Sequence, residues 1–201
     1  MFDSEEELLE KIQLGEDSFL ELKRIVFSSE KVIEPNRRDL SDEIGAFANR
    51  KGGVLVLGVD DKTRDIEGIP LEKLDRAEDY IREICQDTLK PALAVDIERL
   101  KLPNSLGELL PILRVDIPRS LWVHKSAHGY FHRVGSAAKE MPPEYLARLF
   151  QHRSQVQTLR FEEQVVNMAK MDDLHRKLWT RFTSPNESDA GIALSKLKMA
   201  G

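Results

Sequence analysis

Apolar residues first recur at helical spacing between Glu6 and Leu14, where Leu8, Leu9 and Ile12 share one side and Gly15 marks the stop. The next run, "SFLELKRIVF", alternates loosely and predicts a strand. Pro35 and Asn36 break the chain before "RRDLSDEIGAFANRKGG", whose Leu40, Ile44, Phe47 and Ala48 line one helical face. Gly52 and Gly53 predict its end. "VLVLGV", Val54 to Val59, is almost wholly apolar, the pattern of a central strand covered on both faces. A helix is predicted from near Pro70 to before Pro91, with Leu74, Ile81, Ile84 and Cys85 at helical spacing. "ALAVDIERLKL" and "LLPILRVDIP", joined by the turn-rich "PNSLGE", predict an antiparallel pair.

Further on, "LWVHKSAHGYFHRVGSAAKEM" predicts two short strands around His128–Gly129, and "PPEYLARLFQHR" a helix with Pro in its first turn. From Val156 to Phe182 a long helical pattern carries Val165, Met168, Leu174 and Leu178. The expected fold is α+β: a mixed, largely antiparallel sheet packed by helices, with a C-terminal helical arm. The expected division is a domain over residues 1–152 and a helical arm with tail over 153–201. The arm's apolar stripe packs either on its own domain or on a partner copy.

Composition narrows the setting. No run of eighteen apolar residues occurs, so no membrane helix is expected. The N-terminus is acidic where a signal peptide would be basic and then apolar, which places the chain in the cytoplasm. Cys85 is the only cysteine, so an internal disulfide and a cysteine-rich zinc cluster are excluded, and its place on an apolar stripe marks it as buried filler. A net charge of -5 gives no global attraction to phosphate, so any nucleic-acid site must be a local patch.

Candidate chemistry begins where the central strand ends, at Asp60 and Asp61. They read either as solvated turn residues or, with Glu16 and Glu21, as oxygen ligands for magnesium or manganese. Basic residues gather in two groups: Lys23, Arg24, Arg37, Arg38, Arg50, Lys51, Lys62 and Arg64, and then His124, Lys125, His128, His132, Arg133 and Lys139. With Tyr130 and Phe131 interleaved, the second group would grip phosphates and stack a base, or simply decorate the surface. His124, His128 and His132 recur every four residues, but turn chemistry around Gly129 argues against a helical metal stripe. No P-loop is present, so no ATP site is expected, and neither G-x-S-x-G nor H-E-x-x-H appears.

In order along the chain, "EDSFLELKR", "IGAFANRKGGVLVLGVDD", "IEGIP", "YFHRVGSAAKEM" and "PPEYLARLF" resemble the Schlafen-related AlbA-type domain, the second, divergent AlbA family. The resemblance implies an α+β module for binding DNA, common in transcriptional regulators. Taken with the local basic clusters, it leads to the expectation that Lys23, Arg50, Lys51 and Arg133 contact phosphates of DNA or RNA, with Tyr130 stacking on a base. RNA-cleaving Schlafen members use three acidic residues, and the positions that match them are Glu16, Glu21 and Asp60. The alternative it implies is therefore a magnesium- or manganese-dependent endoribonuclease acting on structured RNA such as tRNA. Those members pair two modules around the substrate, a pairing that a homodimer of this chain would restore.

Overall fold

The computed structural model describes residues 4–168, with side chains described as far as residue 157. Residues 1–154 form one compact unit and 155–201 a second. A helix, α1 (Glu5–Leu14), precedes strand β1 (Leu20–Lys23), the hairpin β2 (Val26–Ser28) and β3 (Lys31–Glu34), helix α2 (Arg37–Asn49) and strand β4 (Gly53–Leu57). Helix α3 (Leu74–Glu83), strands β5 (Asp96–Pro103) and β6 (Leu109–Ile117), the hairpin β7 (Phe131–Val134) and β8 (Ala137–Glu140), and helix α4 (Pro143–Met168) follow. The main sheet has the order β1-β4-β6-β5, with β1 and β4 parallel and the other pairs antiparallel. The α+β class and the C-terminal helix agree with the expectation from the pattern. Among the described residues no helix is long and apolar enough to cross a membrane.

Every residue of β4 is buried, because both faces of the sheet are covered. Val54 and Val56 join Leu8, Ile12, Leu20 and Leu22 in one cluster, while Leu55 and Leu57 join Leu40, Ile44, Phe47 and Ile81 in the other. The two-residue period of a strand sends alternate side chains to α1 and to α2 and α3. Each such aliphatic side chain contributes about 1.5–3 kcal/mol relative to exposure. Helix α1 starts where the Ser4 hydroxyl accepts from Glu7 N at 3.2 Å, and it ends at Gly15.

The glycine pair after α2 answers to close approach. A Cβ on Gly52 (φ +80) would lie 2.5 Å from the Ile117 carbonyl oxygen, and one on Gly53 would lie 2.1 Å from the Phe47 ring. Asn49 meanwhile stitches a distant segment to the helix end: Nδ2 donates to the carbonyls of His124 at 2.8 Å and Phe131 at 3.0 Å, and Oδ1 accepts from His124 N at 2.8 Å.

Some boundaries depart from the pattern. "SFLELKRIVF" is two strands, because the chain leaves the main sheet at Arg24–Ile25 to form the β2–β3 hairpin. The hairpin expected around His128–Gly129 turns instead at Gly135–Ser136, between β7 and β8. Residues 126–129 close a separate turn, with Ser126 N donating to Gly129 O at 2.8 Å. The helix before Pro91 is α-helical only to Glu83 and widens to a π-type turn over Ile84–Thr88. The helices read separately from "PPEYLARLFQHR" and from Val156 are continuous through Met168, and residues 169–182 lie outside the described part.

Substituting Gly53→Ala forces the Phe47 ring out of its packing and is expected to cost about 2–3 kcal/mol in urea denaturation. Gly107→Ala, with open space around its Cβ position, should cost only about 1 kcal/mol for its positive φ. Equal losses at the two sites would refute the close-approach reading.

Candidate functional site

Strand alternation turns Leu20 and Leu22 toward α1 and leaves Glu21 and Lys23 on the opposite face of β1, toward α2. A carboxylate carried into that face needs charged company, since an unpaired buried charge is far too costly. Arg133, from β7, supplies it. Its Nη1 lies 2.7 Å from Glu21 Oε2 and 2.6 Å from Glu43 Oε2, and its Nη2 donates to the Asp17 carbonyl at 2.8 Å. The guanidinium is 0% exposed and sits 4.4 Å from the centre of the Phe47 ring. Lys23 completes the cluster, bonding to Glu21 and lying 3.5 Å from Glu16, whose Oε1 also accepts from Leu22 N at 3.0 Å.

Burial, followed by repulsion from Glu21, pushes the Glu43 carboxyl up to about 7, even though Arg133 and Lys23 pull the other way. The same two causes, in the same order, raise Glu16. Burial alone would lower Lys23, but attraction to Glu21, Glu16 and Glu43 outweighs it and raises it.

Of the acidic residues matched to RNA-cleaving relatives, Glu16 and Glu21 thus meet around Lys23. Asp60 does not join them. Its Oδ1 accepts from Lys62 N at 2.9 Å, Thr63 N at 2.7 Å and the Thr63 hydroxyl at 3.1 Å, and these backbone bonds hold its pKa down. The strand exit that raised the question of paired carboxylates is here a self-capped turn, and Asp61 is exposed. The third carboxylate beside Glu21 is Glu43, from α2. A signal for it exists in the sequence: Glu43 stands four residues before Phe47 and so shares its helix face at the edge of the apolar stripe. Among the described residues, the acidic and histidine side chains whose ligand atoms lie within 4.8 Å of one another are a different set, Asp39, Asp42 and His128.

The basic residues separate just as clearly. Arg133 is wholly internal and presents no surface to a ligand, and Lys23 is committed to Glu21. Arg50 and Lys51 are exposed at the C-terminal end of α2, Arg50 donating to the Arg133 carbonyl and Lys51 lying 5.9 Å over the Phe19 ring. Tyr130 is half-buried, edge-on to Phe150 with ring centres 5.9 Å apart. Two further cations stand nearby, Lys139 of the second basic group and Arg119, which was not singled out from the sequence. Arg119 lines a shallow depression of about 260 Å³ with Lys51, Asp96 and Asp116, and Lys139 faces His132 across the β7–β8 ladder. Burial and then Arg50 lower His132. Arg153 is buried against the last carbonyls of α2, 2.6 Å from Asn49 O, and burial followed by Arg119 brings it down to about 10. By contrast, Arg37, Lys73, Arg76, Arg82 and Arg99 around α3 are all ion-paired with carboxylates.

The fold is an α+β sheet knitted to its helices by a buried guanidinium, with exposed cations at one helix end. A family model described as Schlafen, AlbA_2 matches residues 16–142, and the chain belongs to that family. Among solved structures, it is similar to the DIP2311 protein from Corynebacterium diphtheriae at 21% identity and a TM-score of 0.43, over 62% of this chain and 22% of that one.

Because the native state holds the Glu43 proton more tightly than the unfolded chain does, Glu43 makes stability fall as pH rises from the ordinary value of 4.5 to about 7. Glu43→Gln should therefore gain stability relative to the parent across that window and hold the gain above it. Urea denaturation at a series of pH values checks this, and a pH-independent difference would contradict it. Arg133→Met, which strands Glu21 and Glu43 without their cation, should cost about 3–5 kcal/mol at neutral pH.

Proposed function

We propose that this chain is a nucleic-acid-binding module whose phosphate-contacting surface lies at the C-terminal end of α2. The observation that carries the reading is that Arg50, Lys51, Arg119 and Lys139 are exposed and, among the described residues, make no ion pair with a carboxylate. Exposed cations not neutralised by a carboxylate are the groups able to release condensed counterions from a phosphate backbone. Tyr130, just before the hairpin and beside them, is a half-buried ring on which a splayed base would stack. With a net charge of -5, the rest of the molecule repels the polyanion and leaves this patch as the place of approach. Family membership supports the same reading.

Binding is favoured over cleavage because both oxygens of Glu21 are committed to cations and Asp60 to its own turn. The carboxylates near β1 then serve to seat Arg133 and, through it, the hairpin.

Fluorescence anisotropy against duplex DNA, single strands and tRNA over a salt series tests the reading. Lys51→Ala and Arg119→Ala should each weaken binding and reduce the slope of log K against log salt by about one, whereas Arg82→Ala, paired on α3, should leave both unchanged. Absence of binding to any of the three at low salt would overturn it.

A further inference from the structure

Asp39 and Asp42 stand three residues apart in the first turns of α2 and therefore share a face of the helix. The segment that runs back along α2 brings His128 to the same face, with ligand atoms of the three side chains within 4.8 Å of one another. We propose that Asp39, Asp42 and His128 bind a divalent transition-metal ion of the zinc and manganese class, which clips residues 124–129 onto the start of α2.

The site is organised by the fold before any ion arrives. Asp42 is 8% exposed, and its Oδ1 accepts from the Ser126 hydroxyl at 2.6 Å and from His128 N at 3.3 Å. The Ser126 hydroxyl is also 2.9 Å from Gly129 O, and Gly129 takes φ +145, so the turn that carries His128 is closed on itself. The imidazole Nδ1 lies 2.6 Å from Asp42 Oδ2. Ligands about 2.0–2.2 Å from a shared zinc stand roughly 3–3.5 Å apart at tetrahedral angles, so an ion taking the place of the proton between them moves the two groups by less than about 1 Å.

Charge asks for a cation here. Among the described residues, no lysine or arginine is ion-paired with either aspartate, and the exposed Asp39 carboxylate has no hydrogen-bond or ion-pair partner. The helix dipole accounts for acids in the first turns. It does not account for an imidazole set facing them. A nitrogen donor beside two carboxylates suits zinc or manganese better than calcium or magnesium, which prefer oxygen alone. Three protein ligands leave the remaining positions to water.

The test uses the full chain, stripped with a chelator and titrated with zinc and with manganese by calorimetry and by competition with a chromophoric chelator. One equivalent should bind and raise the melting temperature. Asp39→Asn, a change at an exposed side chain, and His128→Gln should each weaken zinc by at least roughly tenfold and abolish the thermal shift. His152→Gln, at an exposed position on α4, should change neither. Binding that survives both site variants, binding lost with His152→Gln, or no stoichiometric uptake at micromolar zinc would each overturn the proposal. Because Asp39 and His128 are outside the surface of Arg50, Lys51, Arg119 and Lys139 proposed to meet phosphate, failure of nucleic-acid binding leaves this result untouched.

Discussion

The fold depends on one buried guanidinium. Arg133 is delivered by a two-stranded hairpin that is not part of the main sheet, and it reaches Glu21 on β1, Glu43 on α2 and the Asp17 carbonyl in a single planar fork. No lysine could make these contacts together, because an ammonium lacks the fixed spread of donors and the delocalised plane that here stands 4.4 Å from the centre of the Phe47 ring. Desolvating such a cation is expensive, and two carboxylates with an aromatic face offset the cost only when all are held at once. Helix, strand and hairpin are therefore coupled: displacing any one of them strands a charge in the interior. The raised Glu43 is the residue of this compromise, a second acid placed beside Glu21 that finds it easier to keep its proton near neutrality.

The residues that define the family pattern serve this coupling. Within "AFANRKGG", Phe47 is the platform for Arg133 and fills the space that a side chain at position 53 would occupy, while Asn49 holds the segment leading into β7 by three hydrogen bonds. Gly52 lets the chain pass against the end of β6. The glycine pair is thus a packing device between helix and sheet.

Most of the secondary structure was legible because it rests on local periodicity. The continuous apolar run at Val54 announced a strand covered on both faces, and the stripe through Leu40, Ile44 and Phe47 announced the helix lying over it. What the pattern could not carry was placement at long range. Arg133 looked like an exposed phosphate contact because an arginine in a short polar strand usually is one, and only the pairing of β7 with α2 makes it internal. Asp60 matched by position yet turns back on its own backbone, since the turn donors lie two and three residues away and are met first. Glu43 was hidden among the acids of "SDEIG", its significance set by a partner ninety residues distant. The hairpin misplaced at His128–Gly129 has the same origin: that turn is real, but Asp42 draws it onto α2 before a strand can form.

Helix α2 then organises the molecule's charge as well as its packing. Its first turns carry Asp39 and Asp42, and its last carbonyls face the buried Arg153 with Arg50 and Lys51 following directly. Asp39 and Asp42 on the one hand, and Arg50, Lys51 and Arg153 on the other, sit at the ends of the macrodipole that favour them, although Arg37 and Arg38 open the same helix. The segment from Ser120 to His128 runs antiparallel to this axis, tied at one end by Ser120 and His124 to the helix C-terminus and at the other by Ser126 and His128 to Asp42, and the chain then returns to Asn49 at Phe131. A cation held at the acidic end and a polyanion held at the basic end would act on the same tethered segment, and from it on Tyr130 and the hairpin. On the two proposals together, rigidity gained at one end of α2 would lower the ordering cost of binding at the other, because the loop between them is shared.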